Sequence, residues 1–228
     1  MANQPTIFAV QWVREETAQM RLISLNGERV WSFIPGQIAI LGIGGVGESY
    51  FAIASAPEDK AGMEFLIRKG EGVSEALFGV KRGNPVQGKG PLGKGFPIDQ
   101  YRGRDFILAA VGSAIAPIRG VLRSICYRRA DFGKIVPVYG VRHPEDFPLL
   151  HEVEGWQQSH IRVILTVSHP EGQDWNGKTG YVQAHFREAL KGLSQPVAMI
   201  CGMEAMLEQS RDELIRLGVR ATEILTNY

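Results

Sequence analysis

Up to about residue 100, apolar positions recur at every second residue in short runs separated by turn signals, the pattern of half-buried strands. Thr6–Val13 (TIFAVQWV) and Ala18–Leu25 (AQMRLISL) alternate in this way, and Asn26-Gly27 follows as a turn. Phe33-Ile-Pro-Gly-Gln37 breaks the chain before the apolar run Ile38–Ile43, and Tyr50–Ser55 and Met63–Lys69 are the next strands. Ser74–Val80 has helical spacing with Ser74 as its N-cap. Lys81–Pro85 then turns the chain into a last short strand from Val86. Five or six strands with one helix predict a small closed or nearly closed antiparallel barrel.

From Tyr101 the pattern changes to alternating strands and helices. Phe106–Ala110 is a continuous apolar run, Val111-Gly-Ser-Ala114 a turn of small residues, and Pro117 the opening of a helix with apolar Ile118, Val121, Leu122 and Ile125. Strand Lys134–Tyr139, a helical region over Pro144–Trp156 and strand Ile161–Thr166 come next. Helix Val182–Lys191, strand Pro196–Ile200, helix Ala205–Leu217 and a terminal strand Thr222–Leu225 complete the chain. Right-handed crossovers make this a parallel five-stranded sheet covered on both faces. The expected domains are residues 1–100 and 101–228, divided near Asp99–Arg104 after the Gly/Pro-rich Gly88–Pro97. The unit Asp105–Arg119 leaves backbone N–H groups at the positive end of a helix, where a phosphate can rest. A second strand, Val197–Ile200, runs into Cys201–Met206 and another helix, so the two turns together suggest one ligand spanning both.

Composition narrows the partners. A net charge of +1 argues against a broad nucleic-acid footprint. No apolar run approaches a membrane span and the first residues lack a signal-peptide pattern, so the default expectation is a cytoplasmic chain with no membrane partner. Cys126 and Cys201 are the two cysteines, too few for a thiolate-held iron–sulfur cluster or zinc quartet, and the five histidines show no metal-ligand spacing. No metal is expected. Gly42–Gly47 matches GxGxxG, but the extended Glu48–Ala54 follows where a dinucleotide fingerprint needs a helix, so it reads as a hairpin loop. Gly88–Lys94 matches GxxxxGK, yet Gly95 stands where a phosphate loop needs Ser or Thr. Ser113 lies in VGSAI rather than a GxSxG elbow.

Several ordered motifs carry a family resemblance over essentially the whole chain. Pro35-Gly36-Gln37 looks like a PGQ turn, Tyr50–Pro57 like an RxYSIAS flavin strand, and Gly72-Val73-Ser74 like a GxxS phosphate loop. Leu77–Phe96 looks like the Lx(x)LKxGDxVxVxGPxGxxF run, Val111–Pro117 like GGTGIAP, Val138–Asp146 like LYGxRxxED, and Cys201–Met206 like CGPxxM. Together they resemble the ferredoxin–NADP reductase superfamily. The resemblance implies a barrel that holds FAD (or FMN) through Phe51, Ala52, Ile53 and Ser55 with Gly72, Val73 and Ser74. It implies NAD(P)H on Gly112, Ser113, Ala114 and Pro117, with Arg142, Ser168 and His169 near the 2′ position and Gly202, Met203 and Met206 beyond the second turn. The thiol of Cys201 would lie beside the contact between the two rings, and Tyr228 would cover the flavin.

The chain departs from these motifs at chemically telling places. Phe51 replaces the stacking Tyr and Ala52 the Ser that meets the flavin N5 edge. Ser49 replaces the Arg that grips the cofactor phosphate, a charge-assisted contact, which leaves that task to backbone N–H groups and Ser74, helped by Lys69. Ala114 replaces the second glycine of its turn, and Met203 the Pro of CGP.

The resemblance implies that hydride passes from NADH or NADPH to FAD and electrons go on to an unidentified acceptor, a small molecule or a redox protein. Two alternatives stay open. One is an electron-transfer subunit of a larger complex, as with hydrogenase reductase subunits, though these usually end in a cysteine cluster and this sequence ends ATEILTNY. The other is a non-enzymatic relative that binds a nucleotide weakly.

Overall fold

The structure, a computed structural model, describes residues 5–27, 31–171 and 174–227. The alternating segments of the first half become β1 (Thr6–Thr17), β2 (Met20–Asn26), β3 (Ile38–Ile43), β4 (Gly47–Ala52), β5 (Met63–Arg68) and β6 (Pro85–Leu92), with helix α1 (Val73–Phe78) between the last two. They form one antiparallel sheet in the order β4-β3-β6-β1-β2-β5. The sheet closes on itself past the end of β4, where Ile53 bridges Phe65 and the Ala54 amide donates to Glu64 O at 2.7 Å. Phe8, Ile23, Leu25, Leu41, Phe65 and Val86 fill the interior. Gly42–Gly47 belongs to the β3–β4 hairpin and Gly88–Leu92 to β6, so neither glycine-rich match is a nucleotide loop.

The second half continues with β7 (Phe106–Val111), α2 (Ile115–Tyr127), β8 (Ile135–Val141), α3 (Val153–Gln158), β9 (Ile164–Val167), β10 (Lys178–Thr179), α4 (Phe186–Ala189), β11 (Val197–Cys201), α5 (Glu204–Arg216) and β12 (Ile224–Leu225). All six strands are parallel, in the order β10-β9-β8-β7-β11-β12. The sixth, β10, is a correction to the expected five. Lys178 and Thr179 are both exposed, and an edge pair this short carries no periodicity. Two local expectations also change. Helix α2 follows directly from a 3-10 turn over Gly112–Ala114, so Pro117 lies inside its first turn instead of opening it. In α1 the cap is Gly72, at φ 58°, and Ser74 is already helical.

Helix α2 is buried nearly all round because it is enclosed on two sides. Ile115, Ile118, Leu122 and Ile125 share one core with Leu108 and Tyr139 of the parallel sheet and with Met20, Leu22, Ala54 and Leu66 of the barrel. Gly120 makes that approach possible, since a methyl group there would lie 2.9 Å from Ser55 O and 3.5 Å from Ile53 O. Its neighbour Arg119 is 2% exposed. The guanidinium donates to both Glu152 oxygens at 2.7–3.0 Å, to Ala54 O at 3.0 Å and to Glu64 Oε2 at 2.5 Å. Burial works against the charged form, and the hydrogen bonds and charge of Glu152, with Glu64, outweigh it and hold the Arg119 pKa above its ordinary value.

Removing one partner of such a cluster strands the others. Arg119→Leu is expected to cost roughly 3–5 kcal/mol of stability, and adding Glu152→Leu to recover part of it. Urea unfolding of the three proteins checks this, and additive losses would show that Arg119 and Glu152 are uncoupled.

Candidate functional site

In the parallel sheet the chain starts in the middle at β7, moves through β8 and β9 to one side, and returns to β11 on the other. The crevice at such a reversal, at the C-terminal strand ends, is where ligands bind in open α/β sheets. A groove of about 910 Å³ opens there. One wall comes from the parallel sheet: Val111–Ala114, Ala116 and Pro117 after β7, Gly140–Arg142 after β8, Ser168 after β9, and Cys201–Met203 with Met206 after β11. The facing wall is the barrel: Gln19 and Met20, Ile38, Tyr50–Ala52, Leu66, Arg68 and Ser74.

The turn after β7 is built for close approach. Gly112 takes φ +52°, and no atom lies within 4 Å of where its Cβ would be. Ala114 takes φ −68° and ψ −2°, ordinary right-handed backbone, so replacing the family glycine brings a methyl group but no strain. Cys201 is 2% exposed, and burial pushes its thiol pKa up, so it remains a neutral S–H at pH 7. Its Sγ lies 3.6 Å from Asn227 Oδ1. Met203 is 74% exposed beside it and Tyr50, on the barrel, 66%, so large apolar groups stand open on both sides.

Of the residues expected from sequence, Phe51, Ala52, Ser74, Gly112, Ser113, Ala114, Pro117, Arg142, Ser168, Cys201, Gly202, Met203 and Met206 line this groove. Ile53 and Ser55 do not. Ile53 is enclosed in the barrel interior, and the buried Ser55 Oγ accepts from Glu64 N at 3.1 Å. Gly72 and Val73 lie next to the wall without forming it, Val73 turning into the barrel core. His169 is also off the wall, with Nδ1 3.0 Å from Ser168 Oγ and its carbonyl 3.0 Å from His143 Nδ1. Tyr228 lies outside the described residues. Among the described residues, no three His, Cys, Asp or Glu side chains gather as a metal set, and no helix is long and apolar enough to cross a membrane.

Sequence reasoning missed Tyr50, Arg68, Tyr181 and Asn227, all on the groove wall. Strand alternation would have found Arg68, because Met20, its partner on β2, lines the groove as well. Lys69, chosen instead, has its ammonium 5.9 Å from the Phe78 ring. Ser49 is not on the wall either.

The segment after β4 is fixed from behind by α2. Asp59 accepts from Arg123 at 2.6 and 2.8 Å, from Tyr127 OH at 2.8 Å and from Ala56 N at 2.7 Å. Burial opposes ionisation of Asp59, but these hydrogen bonds outweigh it and hold its pKa below the usual carboxylate range.

Comparison with known proteins agrees with this geometry. Residues 108–212 match the oxidoreductase NAD-binding domain family. Sulfhydrogenase 1 subunit gamma of Pyrococcus furiosus is 32% identical over 198 residues, 85% of this chain and 67% of that subunit. Ferredoxin–NADP reductase B of Sorangium cellulosum is 29% identical over 179 residues, 74% of this chain and 72% of that protein. Among solved structures, the Amycolatopsis cytochrome P450 reductase GcoB superposes with a TM-score of 0.87 at 22% identity, covering 99% of this chain and 69% of that one. A ferredoxin NADP+ reductase from Neisseria gonorrhoeae, solved with FAD and NADP, gives 0.82 at 19% identity and covers 98% of each chain.

An antiparallel barrel facing the switch point of a parallel sheet defines the class, a two-lobed dinucleotide oxidoreductase. The chain belongs to the ferredoxin–NADP reductase superfamily of FAD- and NAD(P)-binding oxidoreductases.

A group whose folded pKa is depressed contributes stability above its ordinary value, near 3.9 for Asp, and loses it as pH falls through the lower folded value. The Tm of the wild type is therefore expected to drop steeply below about pH 4, and Asp59→Asn to lower Tm at neutral pH and flatten that acid limb. Parallel curves for the two proteins would remove Asp59 from the account.

Proposed function

We propose that the protein passes reducing equivalents from NAD(P)H to FAD and on to an external acceptor, with residues 1–100 as the flavin unit and 101–228 as the nicotinamide unit. The observation that carries this reading is the single groove walled by both sheets, which lets two dinucleotides meet face to face.

The residues present fit both groups. For a nicotinamide dinucleotide, the open backbone at Gly112 and the 3-10 turn Gly112–Ala114 that leads into α2 offer N–H groups to a pyrophosphate. For a flavin, Phe51 packs on the barrel core and lines the groove, suiting it to the apolar, quadrupolar contact of ring stacking. The phosphate falls to Arg68 and the Ser74 hydroxyl, since Arg68 has no hydrogen-bond or ion-pair partner for its side chain among the described residues. A bound flavin would supply the chemistry that the side chains lack, accepting a hydride and releasing electrons singly or in pairs. The chain's share is binding, orientation and exclusion of water. The neutral Cys201 thiol adds a polarizable surface and no charge at the ring contact. Ala52 offers no side-chain donor where the family motif carries Ser.

A reductase subunit of a larger complex is the second reading, favoured by the 32% identity to a sulfhydrogenase gamma subunit. The acceptor would then be a partner protein in place of a free molecule.

The purified protein is expected to be yellow or to bind FAD one to one at micromolar concentrations, and a colourless protein with no FAD binding would overturn the reading. Arg68→Gln should weaken FAD by roughly 1.5–3 kcal/mol, the worth of a charged hydrogen bond, whereas Lys69→Gln should leave it unchanged. NADH is the expected donor, because among the described residues that line the groove Arg142 alone brings a guanidinium to the strand ends beside Ser168, and the His169 ring is turned to Ser168. A kcat/KM ratio favouring NADPH by about tenfold would reverse that assignment.

A further inference from the structure

We propose that Asn227 is a positioning residue of the redox site: its carboxamide sets the direction of the Cys201 S–H bond and ties that thiol to the barrel turn at Gly36. What the thiol faces rests on the nicotinamide–flavin reading above. The hydrogen bonds themselves do not.

Asn227 is 4% exposed, and a buried primary amide must find partners for both ends. The two ends go to different lobes. Oδ1 accepts from Cys201 Sγ at 3.6 Å at the end of β11, and Nδ2 donates to Gly36 O at 3.0 Å in the turn before β3. The backbone carbonyl of Asn227 accepts from Gly95 N at 3.2 Å, so the barrel holds the residue at a second point. With its amide nitrogen committed to Gly36, the side chain can offer the thiol only an acceptor.

That polarity has a consequence for Cys201. A thiol proton rotates freely about Cβ–Sγ unless an acceptor fixes it. Here the proton turns toward Asn227, and the sulfur lone pairs are left for the groove that both residues line. Any ring carried on the barrel would meet this sulfur at a separation the Gly36 bond helps to set. Thr226 and Asn227 follow β12 directly, so the parallel register of β12 with β11 (Ala198 opposite Ile224, Met199 opposite Leu225) delivers the amide to the level of Cys201.

The test begins with the infrared S–H stretch of the protein as purified, with Cys201→Ala identifying the band that belongs to this thiol. The band is expected at the lowered frequency of a hydrogen-bonded thiol, and Asn227→Ala should move it up. Asn227→Asp keeps an oxygen for the thiol but no donor for Gly36, and should keep the band lowered. An Asn227→Ala band that does not move overturns the proposal, and so does an Asp variant that behaves like Ala, which would make the residue a clamp between lobes and nothing more. Kinetics supply the second arm. Asn227→Ala should lower kcat for NAD(P)H oxidation by roughly fivefold to tenfold, the worth of one neutral hydrogen bond, and cause no further loss in the Cys201→Ala background. Losses that multiply would overturn it. A wild type that oxidises no NAD(P)H counts against the function proposed above, while the S–H band still decides the contact.

Discussion

One buried cation holds the molecule in its working shape. Arg119 lies on a helix enclosed by two sheets, where an unpaired guanidinium would be prohibitively costly. Its partners come from both halves of the chain: Glu64 and the Ala54 carbonyl from the barrel, Glu152 from the turn before α3. Neither half alone satisfies the charge. A hydrophobic residue would pack against either lobe in several ways, whereas a planar fork with directed donors accepts one arrangement. Gly120, next along the helix, removes the side chain that would keep α2 from the Ser55 carbonyl. Charge and close approach therefore act on the same four-residue stretch, Ile53–Ala56, just past the strand that forms the barrel wall of the groove.

The groove follows from that docking. Helix α2 begins at the 3-10 turn after β7 and ends on Asp59, so the two walls of the groove are tied to one rigid rod. The 3-10 turn that leads into it lines one wall, and residues 119, 120, 123 and 127 grip the segment after β4 on the other. The distance between the walls is thereby set by helix geometry instead of by a flexible linker. Asn227 repeats the arrangement on a smaller scale, with its one side-chain amide bonded to both lobes.

The sequence made the architecture legible where periodicity is strong. Period-two runs marked the barrel, continuous apolar runs marked β7, β8 and β11, and small-residue turns marked the switch point. It was silent where the determining contacts are tertiary. Ile53 and Ser55 belong to the motif by position, yet Ile53 points into the barrel core and Ser55 is buried where α2 approaches and Glu64 N donates to its hydroxyl, so they act on the wall from behind. Asn227 stands among residues that show no pattern, and only the pairing of β12 with β11 brings it to Cys201. The two-residue β10 is too short to show a period at all.

Arg68 shows how one residue of strand phase decides chemistry. Arg68 and Lys69 are adjacent basic residues after the same apolar run, and by composition either replaces the charge missing at Ser49. Successive side chains on a strand face opposite ways. Antiparallel pairing with β2 sets Arg68 opposite Met20, and Met20 is on the groove, whereas Lys69 is carried round to the Phe78 ring on α1. The charge absent from β4 thus reappears on β5, on the same barrel wall, as a guanidinium able to make two parallel bonds to a phosphate. A strand motif read alone reports a lost anion contact, while the folded barrel holds the same charge on a different strand.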